Sequence, residues 1–334
     1  MVHPTEKIAP KPYALIPFPK DKPKLKKPIG HHRYQPQRHH GTLHLELTVK
    51  TALHVSTGAI VMGSDVGQNR IPLIKTMMQG QDNQLLIPGS SFKGVVRSVY
   101  EAITNSTLGV VSSKYKRQIP PERLPCRDKN RLCPAARVFG AMDWQGLVQF
   151  SDARCKSSSF TPGFMPSLYN PRPDERKQYF KDNKVAGRKF YYHAIKAASP
   201  GQQRGIPVQQ ARKEWVFSTK LHFRNLTTAE LGVLLITLGQ DSQYPIVLKL
   251  GAGKPIGMGT MSVEVTQLEQ PQSIKERYLE YELNSESVQG SELQTKIAQA
   301  IQKAHEELIE LPQLQQLQKI LAYPTKREAP QGMY

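Results

Sequence analysis

The sequence predicts an α+β fold of the ferredoxin-like or RRM-like type, a βαββαβ core enlarged by long insertions. Three observations carry this. Leu43, Leu45, Leu47 and Val49 alternate with Thr42, His44, Glu46 and Thr48, the period of a strand with one apolar face. Two later segments have helical period and helix-start signals. The other apolar runs are placed so that the order reads strand, helix, strand, strand, helix, strand. That order closes a four-stranded antiparallel sheet with both helices on one face.

Taken in order, residues 1–40 are rich in Pro and Lys and have neither period. They are expected to be an extended basic arm, on nucleic acid or a neighbouring subunit, or else a solvated tail. A domain spanning residues 41–268 follows, and a helical extension over 269–334. The first strand opens it, and a loop over about 56–84 leads to "LLIPGSSFKGVVRSVYEAIT". There Pro88-Gly89 turns the chain, Ser90 or Ser91 is the capping hydroxyl, and Phe92, Val95, Val96, Val99 and Ile103 form one apolar face. An irregular basic insertion covers about 105–140. "GLVQFSDA" is the second strand, and a mobile insertion is expected over about 154–213. "EWVFSTKLHFR" puts Trp215, Phe217, Thr219, Leu221 and Phe223 on one side of the third strand. In "NLTTAELGVLLITLG", Thr227 and Glu230 make a capping box, Leu226 and Leu231 a staple, and Gly239 the stop. "GTMSVEV" is the last strand. Residues from about 291 to 322 are Gln- and Leu-rich with helical spacing, a peripheral helix broken at Pro312. No internal repeat is present.

The formal charge is +19 over 334 residues. This suits an anionic partner, above all nucleic acid. No apolar run is long enough to span a bilayer, and the polar, Pro- and Lys-rich start is unlike a signal peptide. Three cysteines make no disulfide framework, so a reducing cytoplasm is expected.

The first helix carries Lys93 in its first turn, at the positive end of its dipole, and Arg97 one turn on. An anion there would satisfy the free N–H groups of Gly89, Ser90 and Ser91, while Lys93 and Arg97 would follow one phosphate track and Gly94 would permit close approach. The alternative is a surface helix with two solvated cations. A second candidate is "KLGAGKPIGMGTMSVEV", where Gly251, Gly253, Gly257, Met258 and Gly259 surround Lys254. Such a loop can cradle phosphate on its amides. It is not a nucleoside-triphosphate P-loop, since the Gly-Lys-Ser/Thr spacing is missing. Two such loops on one edge suit a polynucleotide better than a small ligand.

"LLIPGSSFKGVVRS", "LCPAARVFG", "GLVQFSDA" and "GAGKPIGMGTMSVEV", with "GRKFYYH" and the late "YPT", resemble the RAMP superfamily of CRISPR-associated proteins. The likeness runs over residues 42–265 and is nearest to the repeated backbone subunits of type III effector complexes. It implies an RRM-like core that grips guide RNA (crRNA), a hairpin thumb that kinks the guide, and subunits stacked into a filament for antiviral defence. Implied partners are guide and target RNA, neighbouring RAMP subunits and the large polymerase-like subunit, in a prokaryotic cytoplasm and away from membranes. The strands lack the exposed aromatics with which RRM sheets read bases, so binding is expected through loops, largely independent of sequence. Arg70 and Lys75 are counted among the RNA contacts.

Many subunits of this kind also cut target RNA, with an Asp shortly before a Pro-containing strand. In "GSDVGQNRIPLIK" the residue two before Pro72 is Arg70, and Asp65 is the carboxylate of the segment. Either Asp65 acts as the catalytic residue, with a divalent cation such as magnesium, or the subunit does not cut. A loop Asp forming a turn before Gly67 is the bland alternative. The family's cysteine-rich "CPxCRLFG" pattern implies zinc. Here Ala136 stands where a Cys would help, leaving Cys126, Cys133 and Cys155 with His193 or an N-terminal His, or else three reduced thiols. A third reading is a stand-alone guide-RNA processing ribonuclease using His54, which follows the first strand.

Overall fold

The computed structural model describes residues 12–157, 159–166, 179–197, 205–271, 279 and 285–329. Its centre is an antiparallel sheet whose strands we label β1 (His39–Val49), β2 (Val148–Phe150), β3 (Ala153–Cys155), β4 (Val216–Leu226) and β5 (Thr260–Pro271). The helices are α1 (Gly89–Ile103), α2 (Pro134–Phe139), α3 (Thr228–Thr237), α4 (Gly290–Glu307) and α5 (Leu311–Leu321). β1 lies between β5 and β4, and both β2 and β3 pair with the far side of β4. Counting β2 and β3 as one broken strand, this is the ferredoxin-like order: fourth, first, third, second.

The register explains the face that each strand buries. Leu45 of β1 stands opposite Thr219 of β4 and Val265 of β5. Leu43, Leu45, Leu47 and Val49 are all 1% exposed or less, and each such side chain contributes about 1.5–3 kcal/mol by leaving water. Phe217, Leu221 and Phe223 are buried on the same side. The capping box of α3 is complete: Glu230 N–H donates to Thr227 Oγ1 at 3.0 Å and Thr227 N–H donates to Glu230 Oε2 at 3.0 Å.

Three expectations change. The capping residue of α1 is Pro88, and Ser90 and Ser91 lie inside the first turn. The cap comes from a distant part of the chain: Gly89 N–H donates to Asp152 Oδ1 at 2.7 Å. The C-terminal helical region is not peripheral, because α4 packs along α3. A Cβ at Gly232 would lie 1.8 Å from Ala300 O, so only glycine admits this approach. Residues 12–40 do not stand away from the domain. Tyr13–Ile16 pairs antiparallel with Arg188–Tyr191, Ile16 is 1% exposed, and the Arg123 guanidinium donates to Pro19 O and Asp21 O at 2.6 Å each. The basic residues before residue 12 lie outside the described residues.

The insertions over 56–84 and 154–213 meet in a second sheet. Its order is Thr161–Pro166, Gly205–Gln210, Leu73–Met77, Ser56–Met62. The Ser56–Met62 and Leu73–Met77 strands form a hairpin that exposes Ile60, Met62 and Leu73. Residues 158, 167–178 and 198–204 of the expected mobile insertion lie outside the described residues.

Candidate nucleic-acid interface

The two loops singled out from the sequence do converge, through Ser91, Gly94 and Lys254 of the expected residues together with others not expected. Ser91, Gly94, Val95 and Ser98 of α1 face Lys254 of the glycine-rich loop across a cavity of about 240 Å³. Lys249 and Lys189 also line it, as do Phe190 and Tyr191, and no carboxylate does among the described residues. Burial lowers the Lys254 pKa, helped by the charge of Lys189. Burial, then the charge of Lys254, lowers that of Lys249 to about 7. Lys189 Nζ lies 5.2 Å from the Tyr13 ring centroid and 4.9 Å from that of Tyr191, distances at which an aromatic face attracts a cation.

The second half of the glycine-rich loop spends its amides on its own fold. Gly251, Gly253, Gly257 and Gly259 all have positive φ, a conformation that favours glycine. Yet Gly257 N–H donates to Lys254 O, Met258 N–H to Gly253 O and Gly259 N–H to Ala52 O. A Cβ at Gly259 would lie 1.9 Å from Leu250 O. Gly257, Met258 and Gly259 are buried. Their amides are therefore committed to folding the loop, and Lys254 is its charge for a ligand.

Lys93 and Arg97 do not share one track. Lys93 Nζ donates to Val148 O at 3.2 Å, and burial followed by the Arg97 charge lowers its pKa. It lines a second cavity of about 650 Å³ at the sheet edge, together with Ser90, His40, His222 and Arg224. Arg97 turns toward the 105–140 insertion and binds Glu101 at 2.8 Å, and Glu101 also binds Arg188 at 2.7 Å. The charge of Arg97 is thus shared with a buried carboxylate. The carboxylate of Asp152 already occupies the end of α1 at Gly89.

Asp65 and Arg70 are exposed at the tip of the hairpin, and Lys75 is half-buried on its second strand. Among the described residues, the side-chain hydrogen bond of Asp65 is with Ser64 Oγ, at 3.5 Å. The tip is closed by Gln68 N–H donating to Gly63 O and Gly63 N–H donating to Pro72 O. His54 is fully buried, with Nδ1 2.7 Å from Gln209 O. A processing ribonuclease needs an accessible His, and His54 does not meet that need.

The expected zinc ligands separate into a pair and two single residues. Cys126 and Cys133 approach each other, with Thr107 Oγ1 3.5 Å from the first sulfur and 3.2 Å from the second. The hydrogen bond from Cys126 holds the Cys133 thiol below its usual pKa, at about 5. Cys155 is buried in β3, opposite Phe217. His193 Nδ1 is 3.0 Å from Thr260 Oγ1 and Nε2 is 2.8 Å from Val247 O, so neither ring nitrogen is free for a metal. Among the described residues, no group of three or more His, Cys, Asp or Glu could hold a metal ion. As placed, the four residues do not fit a tetrahedral zinc set.

Lys249 and Lys189 were missed in the sequence. The signal for Lys249 was present, a lone cation inside the apolar run "PIVLKLGAG".

The geometry defines an α+β domain of ferredoxin-like topology with a cation-lined cleft between its first helix and its glycine-rich loop. The family model for the RAMP superfamily matches residues 46–262, and the chain belongs to that superfamily. No curated protein matches. Among solved structures, the chain is similar to one in "Cryo-EM structure of the Type III-B Cmr-beta bound to cognate target RNA". The identity is 14%, the TM-score 0.38, and the match covers 75% of this chain and 61% of that one. No helix among the described residues is long and apolar enough to cross a membrane.

Proposed function

We propose that this chain is a guide-RNA-binding backbone subunit of a type III CRISPR effector complex. The observation that carries the reading is the cleft in which Lys189, Lys249 and Lys254 meet the Ser91–Ser98 side of α1 with no carboxylate among them. A polyanion supplies the charge such a cleft lacks, and phosphate contacts of this kind grip RNA without reading its sequence. The solvent face of the sheet supports the same view. It presents Ser218, Lys220, His222 and Arg224, while Phe217 and Phe223 are buried, so it offers no aromatic platform for bases. The exposed apolar hairpin, with Ile60, Met62 and Leu73, is suited to act as the thumb against the guide.

The test is purification of the tagged protein from its native cells. The expected result is a multi-subunit ribonucleoprotein holding short RNAs with a shared repeat-derived end. A protein recovered alone and free of RNA would contradict the reading.

A further inference from the structure

We propose that the cleft between α1 and the glycine-rich loop is a socket for a single phosphate group, with Lys249 as the buried cation that receives it. The inference rests on the RNA-binding reading for the source of that phosphate, an internal phosphodiester of the strand. At about 240 Å³ the cavity falls below the roughly 300–1,000 Å³ of ordinary small-ligand sites. It therefore suits one group of a polymer rather than a whole nucleotide.

Lys249 is the reason to single out this place. It lies on the short strand Leu248–Lys249, paired with Thr260 and Met261 of β5. Its side chain is 6% exposed, and its Nζ has no hydrogen-bond partner among the described residues. A buried ammonium without a partner is costly. The ionisable groups around it are Lys254 from the loop, Lys189 and Tyr191 from the strand Arg188–Tyr191, and His193. α1 contributes only Ser91 and Ser98 as polar side chains, and α5 contributes Leu321. The imidazole of His193 is already committed at both nitrogens. Nothing in this set is negative at neutral pH. The empty site therefore relieves its strain by releasing a proton from Lys249, whose pKa falls to about 7. A phosphate in the socket restores the charged form, so RNA binding takes up a proton. Gly94 leaves room for the ligand: a Cβ built there meets nothing within 4 Å.

The experiment is calorimetric titration of the whole protein with single-stranded RNA at pH 8, in buffers of different ionisation enthalpy, and affinity measurement from pH 7 to 8.5. Wild type should take up close to one proton per site, and its affinity should fall by up to about tenfold per pH unit. Lys249→Met should lose both the uptake and much of the affinity while melting at a higher temperature, because the unpaired ammonium is gone. Gly94→Glu, which fills the socket with a carboxylate, should also bind RNA weakly and take up no proton. RNA binding without proton uptake, or with uptake unchanged in Lys249→Met, would overturn the socket and leave the RNA reading intact. If RNA does not bind at all, the RNA reading fails, and inorganic phosphate tests the socket by itself. Phosphate binding without Lys249-dependent proton uptake would then overturn it.

Discussion

His193 and Lys249 lie close together beneath the glycine-rich loop, and burial holds both away from their usual charge. For His193, desolvation and then the Lys249 charge lower the pKa from 6.5 to about 3. The sign of the effect on stability follows. Below pH 6.5 the unfolded chain binds the proton first, so the folded state loses stability as pH falls, until about pH 3. The slope is up to about 1.4 kcal/mol per unit, or about 2 kcal/mol between pH 7 and 5. His193→Gln should show a shallower loss over that range in chemical denaturation. An equal slope in the variant would mean that other groups carry the acid sensitivity. At this scale the sequence revealed Lys254 and the need for glycine around it. It could not reveal that the Gly259 amide bonds inward, because its acceptor, Ala52 O, is some two hundred residues away in the chain. Nor could it show that the ring of His193 is fully engaged by Thr260 and Val247.

Among the elements, α1 and α3 show what local pattern can and cannot specify. α3 carries its own start signal, and the Thr227–Glu230 box forms as its spacing predicts. α1 has no capping side chain of its own. Its start is fixed by Asp152, a partner that no local pattern could name. The face that α3 turns to α4 is also decided by one residue. Gly232→Ala should push Ala300 and its helix away and destabilise the protein by about 1–3 kcal/mol. Equilibrium unfolding measures this, and a change within about 0.5 kcal/mol would mean that the α3–α4 contact yields easily. Gly94→Ala, whose Cβ meets open space, is the matched control. It removes a helix-interior glycine and should be neutral or slightly stabilising.

Across the whole molecule, the ferredoxin-like core was legible because each of its elements has a clear period. The second sheet was not. It joins strands from insertions far apart in sequence, with Val208 paired to Lys75, and each strand is short and weakly alternating. The N-terminal segment was misread for a related reason. Its Pro and Lys content suggests a free tail, yet Tyr13 and Ile16 are buried against the strand Arg188–Tyr191. At the α1 cleft, Tyr13 of this segment and Tyr191 place their rings 5.2 and 4.9 Å from Lys189 Nζ. A net charge of +19 favours a polyanionic partner over the surface as a whole, and the proposed function places its grip in the cleft. The central claim is that the protein grips RNA phosphates in that cleft. The most direct measurement is the salt dependence of affinity for two single-stranded RNAs of unrelated sequence, in wild type and Lys254→Ala. The account predicts equal affinities for the two RNAs, and a log–log salt slope shallower by about 0.7 in the variant. An unchanged slope, or a strong preference between the sequences, would contradict it.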